Sequence, residues 1–157
     1  MGLSIRKANI EDLETVQKLN LQLFEKEHRE YDDLLDLHWT FWNSWTKYFK
    51  NRILEDDWCA FIAEVDGIVV WYLCWWIRSG ESYRILPICA ELENTFVLDT
   101  YRWKWLWTML FDAFIERCKH KEVRKIMVEA SAANEWAIKF YKKNNFKDYS
   151  LKLEADI

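Results

Sequence analysis

Glu91 and Glu93 are carboxylates two residues apart in a largely apolar segment, so both fall on the same face of an extended strand. A carboxylate in such a position can act as a general base, taking a proton directly or through a water molecule. The same pair is equally well explained as solvated carboxylates at the edge of a strand. The sequence leaves both interpretations open.

The sulfur and imidazole side chains are too scattered along the chain to form a recognisable metal-binding motif. No Cys-x-x-Cys pair occurs, and a cytosolic chain with such spacing has no disulfide framework. The pattern therefore predicts buried thiols and no bound metal. The residues concerned are Cys59, Cys74, Cys89, Cys118, His28, His38 and His120.

Length and charge place the chain among single-domain globular proteins. It has 157 residues and a net charge of −4, without the basic excess that supplies affinity for nucleic acid. The longest apolar run, residues 68–77, is too short to span a bilayer, and the N-terminus turns polar too early for a signal peptide. We therefore predict one cytoplasmic domain over residues 1–157, with neither a nucleic-acid nor a membrane partner.

Hydrophobic periodicity and turn residues predict a mixed α/β domain. Asn9 is a suitable N-cap for a first helix, and Asp66-Gly67 is a strong hairpin signal between two apolar runs. Parallel strands joined through a helix are expected only in the second half of the chain. Strands are predicted at residues 3–7, 59–65, 68–77, 92–98, 125–130 and 146–153, and further helices at residues 48–54, 105–120 and 134–143.

Glycine is scarce and tryptophan abundant in this sequence. The chain has 3 glycines and 11 tryptophans, whereas glycine averages ~7% of residues in globular proteins. Several tryptophans stand where turns and close backbone approaches are expected. The clearest case is YRWKWLWTML, residues 101–110, where Trp103, Trp105 and Trp107 occupy alternate positions at the start of a predicted helix.

The segment EASAANEWAIKFYKKNNF, residues 129–146, carries the pattern N-x-x-A-x-x-F-Y-x-x-x-N-F directly after a short predicted strand. The pattern resembles the acetyl-CoA-binding B motif of the GNAT superfamily of N-acetyltransferases, which has glycine where this chain has Asn145. Asparagine tolerates the left-handed conformation expected at a helix C-terminus. An ordinary core-facing helix would show the same apolar spacing. The matching residues are Asn134, Ala137, Phe140, Tyr141, Asn145 and Phe146.

Residues 101–107 fit the frame of the family's A motif, often written Y-R-G-K-G-I-G, with tryptophan in place of each glycine. In the family, backbone N–H groups at the start of the following helix cradle the pyrophosphate of CoA. Bulky indoles in this loop predict a weakened affinity for CoA unless they turn away. The cofactor contacts implied by the motif are Arg102, Trp103, Lys104, Trp105, Leu106, Trp107 and Thr108.

The resemblance covers nearly the whole chain and implies the α/β (α+β) GNAT fold. In that fold the central sheet is mixed and mostly antiparallel, its fourth and fifth strands are parallel and splay apart, and about four helices cover it. Acetyl-CoA is the implied cosubstrate, with its acyl-pantetheine arm between the splayed strands and no metal. The implied contacts to this arm are Phe96, Val97, Leu98, Asn134, Ala137, Phe140 and Tyr141.

The implied reaction is direct attack of a primary amine on the thioester in a ternary complex. By the resemblance, the Tyr141 hydroxyl protonates the departing thiolate, and backbone N–H groups near Val97 polarise the carbonyl. A core tyrosine with a satisfied hydroxyl is the alternative for Tyr141. Glu91 and Glu93 are the candidate bases.

The acceptor is expected to be a small-molecule or peptide amine. Residues 25–36 are rich in Glu and Asp and lie where the family forms its acceptor side, which predicts a cationic acceptor such as a polyamine, a lysine side chain or a protein N-terminus. A solvated acidic face is the alternative. A homodimer is also part of this prediction.

Three other interpretations follow from the tryptophans. The fold could serve as a non-catalytic binding module that uses exposed indoles, or the chain could be an engineered variant in which tryptophan replaced glycine. The run WKWLW could also anchor the protein at a membrane interface, although Asp112 and Glu116 in the same helix disfavour this.

Overall fold

The computed structural model describes residues 2–78, 83–101 and 104–157, with Lys104 described by its backbone alone. Short 3₁₀ turns precede α1, α2 and α3. The strands are β1 (Leu3–Lys7), β2 (Trp58–Val65), β3 (Ile68–Arg78), β4 (Cys89–Val97) and β5 (Lys125–Val128), and the helices are α1 (Leu13–Glu30), α2 (Asn43–Leu54), α3 (Lys104–His120) and α4 (Glu135–Lys143).

The described strands form one sheet in the order β1-β2-β3-β4-β5. The pairs β1–β2, β2–β3 and β3–β4 are antiparallel, whereas the pair β4–β5 is parallel. The β2–β3 hairpin turns through Asp66 and Gly67, whose φ angles are 49° and 82°, as the Asp-Gly signal predicts. The predicted mixed, mostly antiparallel sheet with a parallel fourth and fifth strand is confirmed.

Each face of the sheet carries its own apolar core. Leu106, Leu110 and Phe114 of α3 pack with inward residues of β2 to β4 on one face. Val16 and Leu19 of α1 pack with residues of α2, β2 and β3 on the other face. Because successive strand residues point to opposite faces, the strands between these two helical layers are apolar on both sides.

A β-bulge in β4 alters this alternation next to the point where β4 and β5 separate. Cys74 pairs with Asn94 and Trp75 pairs with Leu92, which leaves Glu93 as the extra residue. Consequently Glu93 and Asn94 both contact the hydroxyl of Tyr48 in α2, on the same side of the sheet.

The segment that leads into α1 is capped as the sequence predicts. The side chain of Asn9 accepts a hydrogen bond from the N–H of Glu11 at 2.8 Å, and Asp12 accepts one from the N–H of Asn9 at 2.7 Å. This capping box fixes the start of the helical segment. Arg6 of β1 binds both carboxylate oxygens of Asp12, at 2.7 and 2.9 Å, and so ties the helix start to the sheet.

Helix α4 has both of its ends specified by local sequence. Asn134 is the N-cap, and its side-chain oxygen accepts a hydrogen bond from the N–H of Ala137 at 3.1 Å. At the other end Asn145 has a φ of 67°, so the predicted left-handed conformation is confirmed. The N–H of Phe146 donates to the carbonyl of Tyr141 at 3.1 Å, and that of Asn145 to Lys142 at 3.2 Å, which completes a Schellman motif.

Two predicted elements differ most from the structure, whereas the predicted strands at 92–98 and 125–130 differ from β4 and β5 by up to three residues at an end. Residues 146–153 form no strand, since no described strand forms hydrogen bonds with them. Alternation of apolar and polar residues is therefore not sufficient for a strand, because a strand also needs a partner. Tyr149, Leu151 and Leu153 are instead exposed. The second helix begins at Asn43 rather than at residue 48, and Trp45 in its added first turn packs edge-on against Trp39.

All four cysteines are buried and free, as the scattered spacing predicts. Within the described ranges, no helix is long and apolar enough to cross a membrane.

Candidate active site

A cavity of about 670 Å³ opens where β5 stops running beside β4. The parallel pairing covers Cys89 to Leu92 of β4 and ends opposite Val128, whereas β4 continues to Val97. Residues from both faces of the sheet line the cavity, with α4 and the start of α3 on one side and the end of α1 on the other. The opening therefore runs through the sheet and connects its two faces.

Aromatic side chains form the wall on the α3–α4 side. The rings of Trp136 and Phe140 are stacked with centroids 5.8 Å apart and an interplanar angle of 9°. Trp107 lies against both, at 5.3 Å from Trp136 and 5.6 Å from Phe140. One of the three alternating indoles is thus packed into the cavity wall, where it occupies space near the start of α3.

Tyr141 lies in this wall with only 8% of its surface exposed. Its ring packs against Phe140 and Phe146, and within the described part of the chain its hydroxyl makes no hydrogen bond to protein. Burial raises the pKa of the Tyr141 hydroxyl above its usual range. The hydroxyl therefore stays protonated at neutral pH and can donate a proton to a group in the cavity.

Glu93 reaches the cavity but is held by two residues of α2. Arg52 binds it through two parallel hydrogen bonds, Nε to Oε2 at 2.5 Å and Nη2 to Oε1 at 2.6 Å. The Tyr48 hydroxyl donates a third at 2.9 Å. The guanidinium of Arg52 lies 4.0 Å from the centroid of the Trp58 ring and 4.3 Å from that of Tyr48. Glu93 thus forms part of a fixed ion pair.

Glu91 does not line the cavity. Its carboxylate pairs with Arg78 at the end of β3, with Nη1 and Oε2 3.3 Å apart. The bulge at Glu93 and the separation of β4 from β5 both lie beyond Glu91 along the strand. The two glutamates of the predicted pair consequently have different surroundings.

The wall on the α1 side is polar and mostly acidic. Glu27 is partly buried there, beside Tyr31, Asp32 and Lys26. In the described ranges the Glu27 carboxylate makes no ion pair or side-chain hydrogen bond. Desolvation by burial raises the pKa of Glu27, with a smaller contribution from Asp32 and an opposing one from Lys26.

The cavity brings together half of the predicted site residues. Leu98 lines a separate cavity of about 330 Å³. Leu106 is completely buried in the core, Trp105 is 46% exposed, and Thr108 is exposed on α3. Arg102, Trp103 and the side chain of Lys104 lie outside the described residues. The predicted residues that line the larger cavity are Glu93, Phe96, Val97, Trp107, Asn134, Ala137, Phe140 and Tyr141.

The lining residues outside the predicted site set include Trp136, Asn94 and Glu27. Trp136 occupies a variable position of the pattern that begins at Asn134, so only its stacking on Phe140 marks it. Asn94 faces the cavity because of the bulge, and bulges have no reliable local signal in sequence. Glu27 lies within an acidic stretch whose members look alike until α1 is packed against β4.

The chain belongs to the acetyltransferase (GNAT) family, whose model matches residues 20–146. The predicted family is thereby confirmed, and the family resemblance supports the predicted assignment as an N-acetyltransferase. In the part of the chain that the structure describes, no cluster of three or more His, Cys, Asp or Glu side chains could hold a metal ion.

Particular relatives show the same resemblance. An uncharacterized N-acetyltransferase of Methanocaldococcus jannaschii is 28% identical over 150 residues, covering 92% of this chain and 61% of the relative, so the chain spans about three fifths of that protein. An N-alpha-acetyltransferase of Sulfurisphaera tokodaii is 27% identical over 149 residues, covering 92% of this chain and 80% of the relative. An aminoglycoside N-acetyltransferase solved in complex with CoA shares the fold, with a TM-score of 0.75, 20% identity and coverage of 99% and 95% of the two chains.

Proposed function

We propose that this protein transfers an acetyl group from acetyl-CoA to a primary amine by direct attack in a ternary complex. The observation that carries the proposal is the cavity through the sheet, because it gives two reactants access from opposite faces to one point beside Tyr141. Binding both reactants there would supply the proximity on which direct transfer depends.

The residues on the α3–α4 side fit the acyl-pantetheine end of acetyl-CoA. The cavity volume of about 670 Å³ is typical of small-molecule sites, and its aromatic wall suits the apolar parts of the arm. The Asn134 side-chain oxygen accepts the capping hydrogen bond, so a contact with the arm would be donated by its side-chain nitrogen, Nδ2. Ala137, with its small side chain, lines the cavity between Asn134 and Tyr141 and leaves space for the arm.

The chemistry assigned to Tyr141 is general acid catalysis. As the nitrogen–carbon bond forms and the carbon–sulfur bond breaks, the hydroxyl donates its proton to the departing CoA thiolate. Its place in the cavity wall, with no hydrogen bond from the hydroxyl to the described protein residues, supports this role, because the proton is free to be donated to a bound group. Backbone N–H groups near Val97 are retained as the proposed site that polarises the thioester carbonyl.

The proposed acceptor is a cationic amine. The carboxylates of Glu27, Asp32 and Glu129 line the cavity together with the cation Lys26, whereas the charge of Glu93, which also lines it, is compensated by Arg52. Excess negative charge at a cavity mouth raises the local concentration of cations. An N-alpha-acetyltransferase among the relatives is consistent with a protein N-terminus as acceptor. A cytoplasmic location and a homodimer are also proposed, and light scattering in solution tests the second.

Acetyl-CoA binding tests the proposal directly. We expect calorimetry to detect binding to the unaltered chain, and Ala137→Leu to weaken it at least about tenfold by filling the cavity. Ala132→Leu is the matched control, because Ala132 is exposed and does not line the cavity. With spermidine or a peptide with a free N-terminus as acceptor, the release of CoA as a free thiol should then accompany acetylation of the amine.

Two results would contradict the proposal. Undetectable binding at millimolar acetyl-CoA would exclude the enzymatic function for this chain. Binding without acetyl transfer to either acceptor would favour the non-catalytic binding module instead.

A further inference from the structure

We propose that Glu27 of α1, rather than either glutamate of β4, is the general base that takes a proton from the acceptor amine. This inference rests on the proposed N-acetyltransferase function and assigns one catalytic residue within it. It is based on where the carboxylates lie around the cavity and on which of them already have partners.

Position is the first argument. Glu27 lines the cavity from the α1 side, whereas Tyr141 lines it from the α4 side. An acyl group between them would have its leaving sulfur towards Tyr141 and its attacking amine towards Glu27. A base must lie on the amine's side of the reacting carbon, within hydrogen-bond reach or one water away.

The availability of each carboxylate is the second argument. Glu93 receives three hydrogen bonds from Arg52 and Tyr48, and Glu91 is paired with Arg78 away from the cavity. Glu93 would have to leave its bidentate pair with Arg52 before it could contact an acceptor amine. Asp32 is exposed at the mouth. Glu27 combines partial burial with the absence of a side-chain partner in the described ranges.

The surroundings of Glu27 suit a base that works near neutral pH. Its pKa is raised, mainly because burial disfavours the charged form, and a base is most effective when its pKa approaches the working pH. On the sheet side a titratable neighbour is the buried Tyr72 of β3, whose pKa is raised mainly by desolvation and slightly by the charge of Glu27, and whose hydroxyl accepts a hydrogen bond from Asn20 at 2.8 Å. The other titratable or charged groups around it are Lys26, Tyr31, Asp32, Glu93, Glu129 and Tyr141.

The proton transfers balance with these two residues. An ammonium acceptor loses one proton to Glu27 and then attacks the thioester carbon as a neutral amine. The nitrogen–carbon bond forms, the carbon–sulfur bond breaks, and Tyr141 gives its proton to the thiolate. The second proton lost by the nitrogen restores Tyr141 through solvent, and Glu27 releases its proton to solvent, so one proton is produced per acetyl group transferred.

Rates measured against pH test the assignment. With acetyl-CoA and spermidine or a peptide with a free N-terminal alanine, Glu27→Gln should lower kcat/KM at least about 10²-fold and remove the acidic limb of the profile. Glu27→Asp should retain that limb at a reduced rate. Glu14→Gln is the matched control, because Glu14 is an exposed glutamate at the other end of α1. A Glu27→Gln profile that keeps its acidic limb, or loss of the limb in Glu93→Gln alone, would overturn the assignment.

A measurement that does not depend on turnover gives a second test. A carboxyl whose pKa is raised in the folded state stabilises the fold below its unfolded pKa of ~4.3, and this stability is lost as the pH rises through the folded pKa. Glu27→Gln should therefore have a higher Tm than the unaltered chain at pH ~8, with the difference vanishing near pH ~4. A lower or unchanged Tm at the higher pH would show that the carboxylate is not held desolvated in the cavity, which also overturns the assignment.

Acetyl-CoA binding separates this inference from the function on which it rests. The cofactor should bind Glu27→Gln as tightly as the unaltered chain, because Glu27 lies on the acceptor side. An unaltered chain that fails to bind acetyl-CoA refutes the proposed function. A chain that binds and turns over, but retains its acidic limb in Glu27→Gln, refutes the role of Glu27 alone.

Discussion

The ion pair between Arg52 and Glu93 joins α2 to β4 beside the cavity. Their side chains are 6% and 16% exposed, so water screens the pair little. The Tyr48 hydroxyl and the rings of Tyr48 and Trp58 complete the cluster. Such a pair fixes geometry, but removing one partner leaves a charge with much of its desolvation uncompensated.

Replacing Arg52 tests the importance of this pair for stability. We expect Arg52→Met to lower the free energy of unfolding by about 3–5 kcal/mol, because Glu93 would remain without its partner. The double variant Arg52→Met, Glu93→Leu should recover most of the loss, as measured by urea unfolding. A double variant no more stable than Arg52→Met would show that the loss comes from packing rather than from the stranded charge.

Tyr141 carries the most specific catalytic prediction at the residue scale. Tyr141→Phe should lower kcat by about 10²-fold or more while leaving acetyl-CoA affinity nearly unchanged, because it removes only the proton donor. Stability should change little, since the hydroxyl makes no hydrogen bond to the described protein residues. Tyr149→Phe, at an exposed position, is the control. A kcat for Tyr141→Phe equal to that of the unaltered chain would show that Tyr141 is a core residue and not the proton donor.

The C-terminal ends of α3 and α4 have the same hydrogen-bond pattern but residues of different suitability for it. Both α3 and α4 end in Schellman motifs, with Glu122 and Asn145 in the left-handed conformation at φ of 57° and 67°. Asparagine tolerates this conformation, whereas glutamate is strained in it.

Glu122→Gly should relieve that strain and raise the free energy of unfolding by about 0.5–1 kcal/mol, measured by urea unfolding. Asn145→Gly should give a smaller gain, because asparagine already accepts the conformation. A loss of stability in Glu122→Gly would indicate that contacts of the glutamate side chain outweigh the strain.

The start of α3 links cofactor affinity to packing. Trp107 contacts Trp136 and Phe140, and it lies where the family pattern has glycine. Trp107→Gly should lower stability through the lost ring contacts and tighten acetyl-CoA binding by about tenfold, or about 1.4 kcal/mol, by freeing space in the cavity.

Trp105→Gly is the matched comparison, because it introduces glycine into the same turn at a position that does not line the cavity. Both variants pay a helix-propensity cost of about 1 kcal/mol, so a difference between them in acetyl-CoA affinity reports the indole that lines the cavity. Equal affinity for acetyl-CoA in both variants would show that the Trp107 indole does not obstruct the cofactor.

At the scale of the whole molecule, the described sheet ends at β5, and the C-terminal segment lies outside it. Residues 147–157 are exposed and belong to no strand. Removing residues 150–157 should therefore change the free energy of unfolding by less than about 0.5 kcal/mol, measured by urea unfolding. A much larger loss would mean that the segment pairs with a strand, as its alternating sequence predicts.

Local sequence determined the features of this protein that depend on neighbouring residues. Asn134, Ala137, Phe140 and Tyr141 are spaced by the helical period, and the cap and left-handed terminus lie within the same short segment. The Asp66-Gly67 turn similarly needs only its adjacent strands. These interactions span few residues, so residue type and spacing are sufficient to predict them.

Tertiary structure decided the features that depend on contacts between segments distant in sequence. The Glu91–Glu93 spacing could not show that Arg52, 41 residues away, binds one of the two carboxylates, nor that a bulge turns Asn94 to the same side. Residues 146–153 alternate like a strand but pair with no described strand. Packing likewise put Trp107 in the cavity wall and left Trp105 outside. Each outcome depends on the free energy of contacts between elements, and the sequence of one segment does not determine which other segment it will contact.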